Sequence, residues 1–128
     1  MLVRIDHNDS RPIYQQIMDE VRRALVVGTL RANDPLPSVR QLAIDLRVNP
    51  NTVAQAYREL EREGVVHVRR GQGTFATAAS ANGTQRRTLA RQVATRALRD
   101  AHRNGLDTEE LLKAIRAAAK HSTSEDDR

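Results

Sequence analysis

The 128-residue chain contains no cysteine, no tryptophan, only two lysines (Lys113 and Lys120) and only three aromatic residues, Tyr14, Tyr57 and Phe75. The lack of cysteine excludes a disulfide scaffold, a thiolate zinc site and a cysteine nucleophile, and it suits a reducing cytoplasm. With so few aromatics, a core has to be assembled from Val, Leu, Ile and Ala. Long apolar runs are missing as well: none approaches the ~20 residues of a membrane span. Met1–Ser10 also lacks the apolar stretch of a secretory leader. A cytoplasmic protein with no membrane partner is expected. The length allows one ordinary domain, or a small domain with an added element, and excludes large catalytic barrels and doubly wound folds.

What the chain has is arginine, 19 of its 21 basic residues, set against 16 acids for a net charge of +5. The guanidinium suits planar, bidentate contacts to phosphate and guanine, although GC-rich coding DNA produces the same bias. The excess is spread out: residues 1–78 hold 11 arginines and 9 acids, and the 50 residues after them hold 10 basic and 7 acidic. Bulk charge therefore says little, and placement must carry the case for a polyanionic partner.

The scarce glycines and prolines mark the joints of the chain. Ile13, Ile17, Val21, Ala24 and Leu25 recur at helical spacing, with Asp19, Glu20, Arg22 and Arg23 on the other side; Ser10 and Pro12 offer a cap and first turn, and Gly28 a stop. Thr29–Pro37 reads as a loop. Ser38 and Gln41 form a capping box for a short helix to Leu46, and after Arg47-Val48-Asn49 a third helix opens on Asn49 and Pro50 and runs to Gly64. Two helices joined by three residues form a helix-turn-helix. Val65–Arg69 and Thr74–Thr77 flank Arg70-Gly71-Gln72-Gly73 as a hairpin. A lone hairpin is marginal in water, so it must lie on the helices, which makes a winged helix.

Polar, small residues follow. Helices are expected over roughly Arg86–Asn104 and Thr108–Lys120, the second opened by a capping box of Asp107 and Glu110. The expected division is a winged helix-turn-helix at 1–78, a linker at 79–85, a two-helix dimerisation element at 86–121 and a polar, frayed tail at 122–128. The fold class is mainly α with a small β-hairpin.

On the third helix, Val53, Ala56, Tyr57 and Leu60 share one face, leaving Asn51, Thr52, Gln55 and Arg58 on the other. Amide side chains at the start of such a helix can bond adenine, threonine can meet a thymine methyl, and free N–H groups attract phosphate. The plain alternative is a solvated helix face. Ser38 and Arg40 lie at the start of the helix that crosses the DNA backbone, while Arg69, Arg70 and Gly71 sit at the wing, within reach of phosphate or the minor groove. For each single arginine a solvated surface role is the competing reading.

Enzyme chemistry finds no support. Gly71-Gln72-Gly73 precedes a strand rather than a helix, His7, His67, His102 and His121 are dispersed, and no nucleophile elbow is present. Neither a metal nor a cofactor is implied. On the fourth helix Leu89, Val93 and Ala97 lie in a stripe of mostly small residues opposite a basic face of Arg96, Arg99 and Arg103. Together with Leu111 and Ile115 of the last helix they are too few for an independent core. They require either a second copy of the same element or a fold-back onto the winged helix.

These motifs resemble the GntR transcriptional regulators, and most closely their YtrA subfamily of very short members. The resemblance rests on Pro12-Ile13-Tyr14-Gln15-Gln16-Ile17, on Leu36-Pro37-Ser38-Val39-Arg40-Gln41-Leu42-Ala43, on Val48-Asn49-Pro50-Asn51-Thr52-Val53, and on the wing Arg70-Gly71-Gln72-Gly73-Thr74-Phe75. It covers roughly Ile5–Thr77. It implies DNA contact at Arg40, Asn49, Asn51, Thr52, Arg70 and Gly71, and a two-helix dimerisation element beyond the wing. Two departures stand out. Asn33 occupies a loop position where the family often has glycine, and Pro50 and Ala54 replace basic contact residues of other branches. The expectation is a homodimeric, sequence-specific repressor on an inverted-repeat, double-stranded operator; a non-specific architectural or protein-binding winged helix is the alternative. No motif assigns a small-molecule effector.

Overall fold

A computed structural model describes residues 3–78 and 83–126, and the chain divides into two compact units, Met1–Leu89 and Ala90–Arg128. The first unit holds α1 (Ile13–Val27), α2 (Val39–Leu46), α3 (Pro50–Arg62), β1 (Val66–Arg69), β2 (Gly73–Ala76) and the start of α4 (Thr84–Arg103). Its core joins Ile17 and Val21 of α1, Leu42 and Ala43 of α2, Val53, Ala56 and Leu60 of α3, and Val66 and Ala76 of the strands. Each large aliphatic side chain fully removed from water here contributes about 1.5–3 kcal/mol.

α1 departs from expectation at its start. Pro12 occupies the cap position with no side-chain cap bond, so Ser10 is not the cap. Asp9 accepts the Arg11 N–H instead, and Arg11 reaches both Asp9 and Asp19 at 2.7 Å. The hydrogen bond to Asp9 raises the Arg11 pKa above its ordinary value. Asp19 and Arg22, on the polar side by spacing, are buried. Gln16 is buried too, its amide accepting from the Asp6 N–H and donating to the Asp6 and Arg11 carbonyls, which stitches the N-terminal arm to α1. At the other end Gly28 takes φ 87° and returns its N–H to the Ala24 carbonyl, the left-handed stop expected of it.

The hairpin is antiparallel, pairing Val66 with Ala76, His67 with Phe75, Val68 with Thr74 and Arg69 with Gly73. It is not left to two strands. The Asn33 and Leu36 N–H groups donate to the Ala76 and Thr74 carbonyls at 2.8 Å, the Ala76 N–H donates to the Asp34 carbonyl at 2.9 Å, and Pro35 bridges to Phe75. On the far side the Val68 N–H donates to the Glu61 carboxylate of α3. Asn33 sits at φ 70°, the conformation for which asparagine can replace glycine.

α4 begins at Thr84, not Arg86. Gln85 is held by a hydrogen bond from Arg22, which also pairs with Glu63 at 2.7 Å, and this anchors the first turn earlier than composition suggests. Positions 79–82 of the expected linker lie outside the described residues.

In the second unit α4 ends before Gly105, at φ 79°, and α5 runs Thr108–Asp126. The capping box is reciprocal: Asp107 accepts the Glu110 N–H at 2.8 Å and Glu110 accepts the Asp107 N–H at 3.1 Å. α5 therefore extends past the expected end at Lys120, since no glycine or proline follows Gly105 to stop it; positions 127 and 128 of the tail are outside the described residues. Ala101 is the one buried hydrophobic among the unit's described residues, while Val93, Leu106, Leu112 and Ile115 are exposed.

Candidate nucleic-acid interface

α2 and α3 set the geometry of the candidate interface. Ser38 Oγ accepts the Gln41 N–H at 3.0 Å, and Gln41 turns its own amide to Asp45, so only half of the expected capping box forms. α2 ends at Arg47 in the left-handed region, φ 58°. That strained residue turns the chain sharply enough for Val48 N–H to bond the Ala43 carbonyl and for α3 to begin three residues after α2 ends. Asn49 Oδ1 then accepts the Asn51 N–H at 2.8 Å, with Pro50 in the first turn.

α3 is divided as its spacing predicts. Val53, Ala56 and Leu60 are completely buried and Tyr57 nearly so, while Asn51, Gln55 and Arg58 are exposed and Thr52 half-buried. The Tyr57 hydroxyl donates to the Pro37 carbonyl at 2.7 Å, tying α3 to the loop that launches α2. Burial pushes the Tyr57 phenol pKa up, so it stays a donor. Arg40 is exposed on the first turn of α2, and neither Arg40 nor Arg58 is in an ion pair among the described residues. The polar side chains of α3 and the exposed start of α2 thus belong to one helix pair, held in place by a shared buried inner face.

The wing turn, Arg70-Gly71-Gln72, is exposed, and Gly71 adopts φ 76°. Arg69 precedes it at the end of β1. Its Nε donates to His67 Nε2 at 2.9 Å, its guanidinium carbon lies 4.2 Å from the centre of the Phe75 ring, and His67 stacks on the same ring at 6.1 Å. The sequence reading missed this trio, because its four-residue turn, Arg70–Gly73, pairs His67 with Ala76, whereas Gly73 belongs to β2 and the observed register pairs His67 with Phe75. It also missed the left-handed Arg47, which no residue preference announces.

Of the residues expected at the dimer interface, Leu89 lies in the first unit and is half-buried. Val93, Ala97, Leu111 and Ile115 lie in the second, Val93 and Ile115 exposed by about half and Ala97 and Leu111 half-buried. Among the described residues no group of three or more His, Asp or Glu could hold a metal ion. No helix among them is long and apolar enough to cross a membrane.

Comparison with known proteins agrees with this geometry. Residues 13–76 match the family described as bacterial regulatory proteins, gntR family. The chain is similar to the HTH-type transcriptional repressor YtrA of Bacillus subtilis, 36% identical over 130 residues that cover 98% of this chain and 100% of the relative. It is 44% identical over 108 residues to the HTH-type transcriptional regulator YhcF of the same organism, covering 84% and 89% of the two chains. Among solved structures it resembles a GntR family transcriptional regulator from Listeria monocytogenes, with a TM-score of 0.69, 32% identity and coverage of 86% of this chain and 97% of that one. The chain belongs to the GntR family and is a sequence-specific, DNA-binding transcriptional regulator of the winged helix-turn-helix type, not an enzyme.

Proposed function

We propose that the protein is a homodimeric repressor that occupies an inverted-repeat operator in the cytoplasm. In this reading residues 1–78 bind DNA, and α4 and α5, beyond the linker, dimerise. α3 enters the major groove with Asn51, Thr52 and Gln55 toward base edges. Asn49 and Arg58 flank them, Ser38 and Arg40 meet the backbone from α2, and Arg69, Arg70 and Gly71 approach from the wing. The observation that carries the reading is the division of α3, whose inner residues are sealed and whose outer residues are polar and mostly exposed.

The dimer reading is supported by the second unit, which exposes Val93, Leu112 and Ile115 and buries only Ala101 among its described hydrophobics. A second copy covers such a face at no cost in new sequence, and two-fold symmetry supplies two recognition helices for two half-sites. Selection of bound duplexes from a random pool, with the mass of the complex measured alongside, tests both halves. The expected product is an inverted repeat bound by two chains. Recovery of a single half-site by one chain overturns the dimeric operator reading.

A further inference from the structure

We propose that His67 and Phe75 are positioning residues that hold the Arg69 guanidinium ready for a phosphodiester oxygen of the DNA backbone. This rests on the reading of the wing as a DNA contact. In the hairpin register His67 and Arg69 point to the same side of β1, His67 faces Phe75 across the strands, and Arg69 faces Gly73, which has no side chain. The guanidinium folds over the gap onto the neighbouring ring, 4.2 Å from its centre, and its Nε is fixed by the His67 Nε2 acceptor at 2.9 Å. Phe75 is in turn secured by the bridge to Pro35.

Three features make this an anion contact rather than an ordinary surface arginine. The side chain is exposed, yet held at two points, so little freedom remains to be lost on binding. Its Nη groups donate to no described residue, and it is in no ion pair among the described residues, so its charge is not neutralised within the fold. Finally, the bond uses Nε and leaves the outer Nη groups for phosphate.

A double-mutant cycle on the full chain tests the proposal, using a duplex recovered by the random-pool selection and titrated with salt. Arg69→Ala should weaken binding about tenfold and lower the salt slope by about 0.9 per bound chain. His67→Ala should weaken binding about threefold when Arg69 is present and have no effect when it is Ala. His67→Gln, whose amide oxygen can take over as acceptor, should restore most of the loss. Thermal melting of each variant separates loss of fold from loss of contact. An unchanged slope in Arg69→Ala overturns the phosphate contact and the wing reading at this residue. A normal Arg69→Ala effect with equal His67→Ala losses in both backgrounds leaves the wing contact standing and overturns the positioning role.

Discussion

The two compact units handle their apolar residues in opposite ways. The first draws aliphatic side chains from three helices and two strands into one closed cluster. The second, built from α5 and most of α4, leaves Val93, Leu112 and Ile115 exposed and, among its described hydrophobics, seals only Ala101. A helical hairpin without a core gains little from burial, and most helical stability in proteins comes from packing an amphipathic face. The contrast teaches that the first unit is stabilised from within, whereas the described residues of the second bury little apolar surface of their own.

The sharpest way to break this contrast is Leu60→Ala, at a position with no exposure. It should cost about 2–5 kcal/mol in chemical denaturation, and a loss under about 1 kcal/mol would show that the first unit does not depend on its core. Ile115→Asp addresses the other side, placing a charge on the half-exposed apolar face of α5. On the proposed pairing it weakens self-association about tenfold or more in a sedimentation dilution series, with the melting of the winged helix unchanged. A dimer that survives it has its interface elsewhere. Asn51→Ala should cost about 1–3 kcal/mol of operator binding and relax base preference at one position per half-site. Retained preference in the selected pool removes Asn51 from base readout.

Tyr57→Phe is the mildest change, about 1 kcal/mol through the bond to Pro37. Its pH dependence is the finer test. Burial raises the Tyr57 pKa, so the folded chain keeps a proton that the unfolded chain sheds near pH ~10. That contribution is complete below the ordinary phenol range and is lost as pH rises above it. The advantage of wild type over Tyr57→Phe should therefore shrink above about pH 10, and a constant difference through about pH 11 contradicts the buried phenol.

The parts of the fold read correctly from sequence depend on neighbours in the chain. The reciprocal box of Asp107 and Glu110, the Asn49 cap with Pro50, and the buried face of α3 all follow from spacings of a few residues. The parts that escaped depend on distant partners. Arg22 reads as a solvent-facing helical arginine until Glu63 and Gln85, 41 and 63 residues away, are seen to meet it. Ser10 looks like a cap because Pro12 follows, but Asp9 makes the local turn instead. Likewise each of His67, Arg69 and Phe75 looks unremarkable alone, and only strand register brings them together. The polar face of the candidate site was thus legible, and the device that fixes its wing arginine was not.

The strip of backbone from Asn33 to Leu36 behaves as a third strand along the outer edge of β2. The wing therefore shares backbone hydrogen bonds with the segment that leads to Ser38 and α2, and local opening of one requires breaking bonds of the other. Hydrogen exchange should reveal it as a slow block containing the Asn33, Leu36 and Ala76 amides, with the Gly71 amide at the turn exchanging freely beyond it.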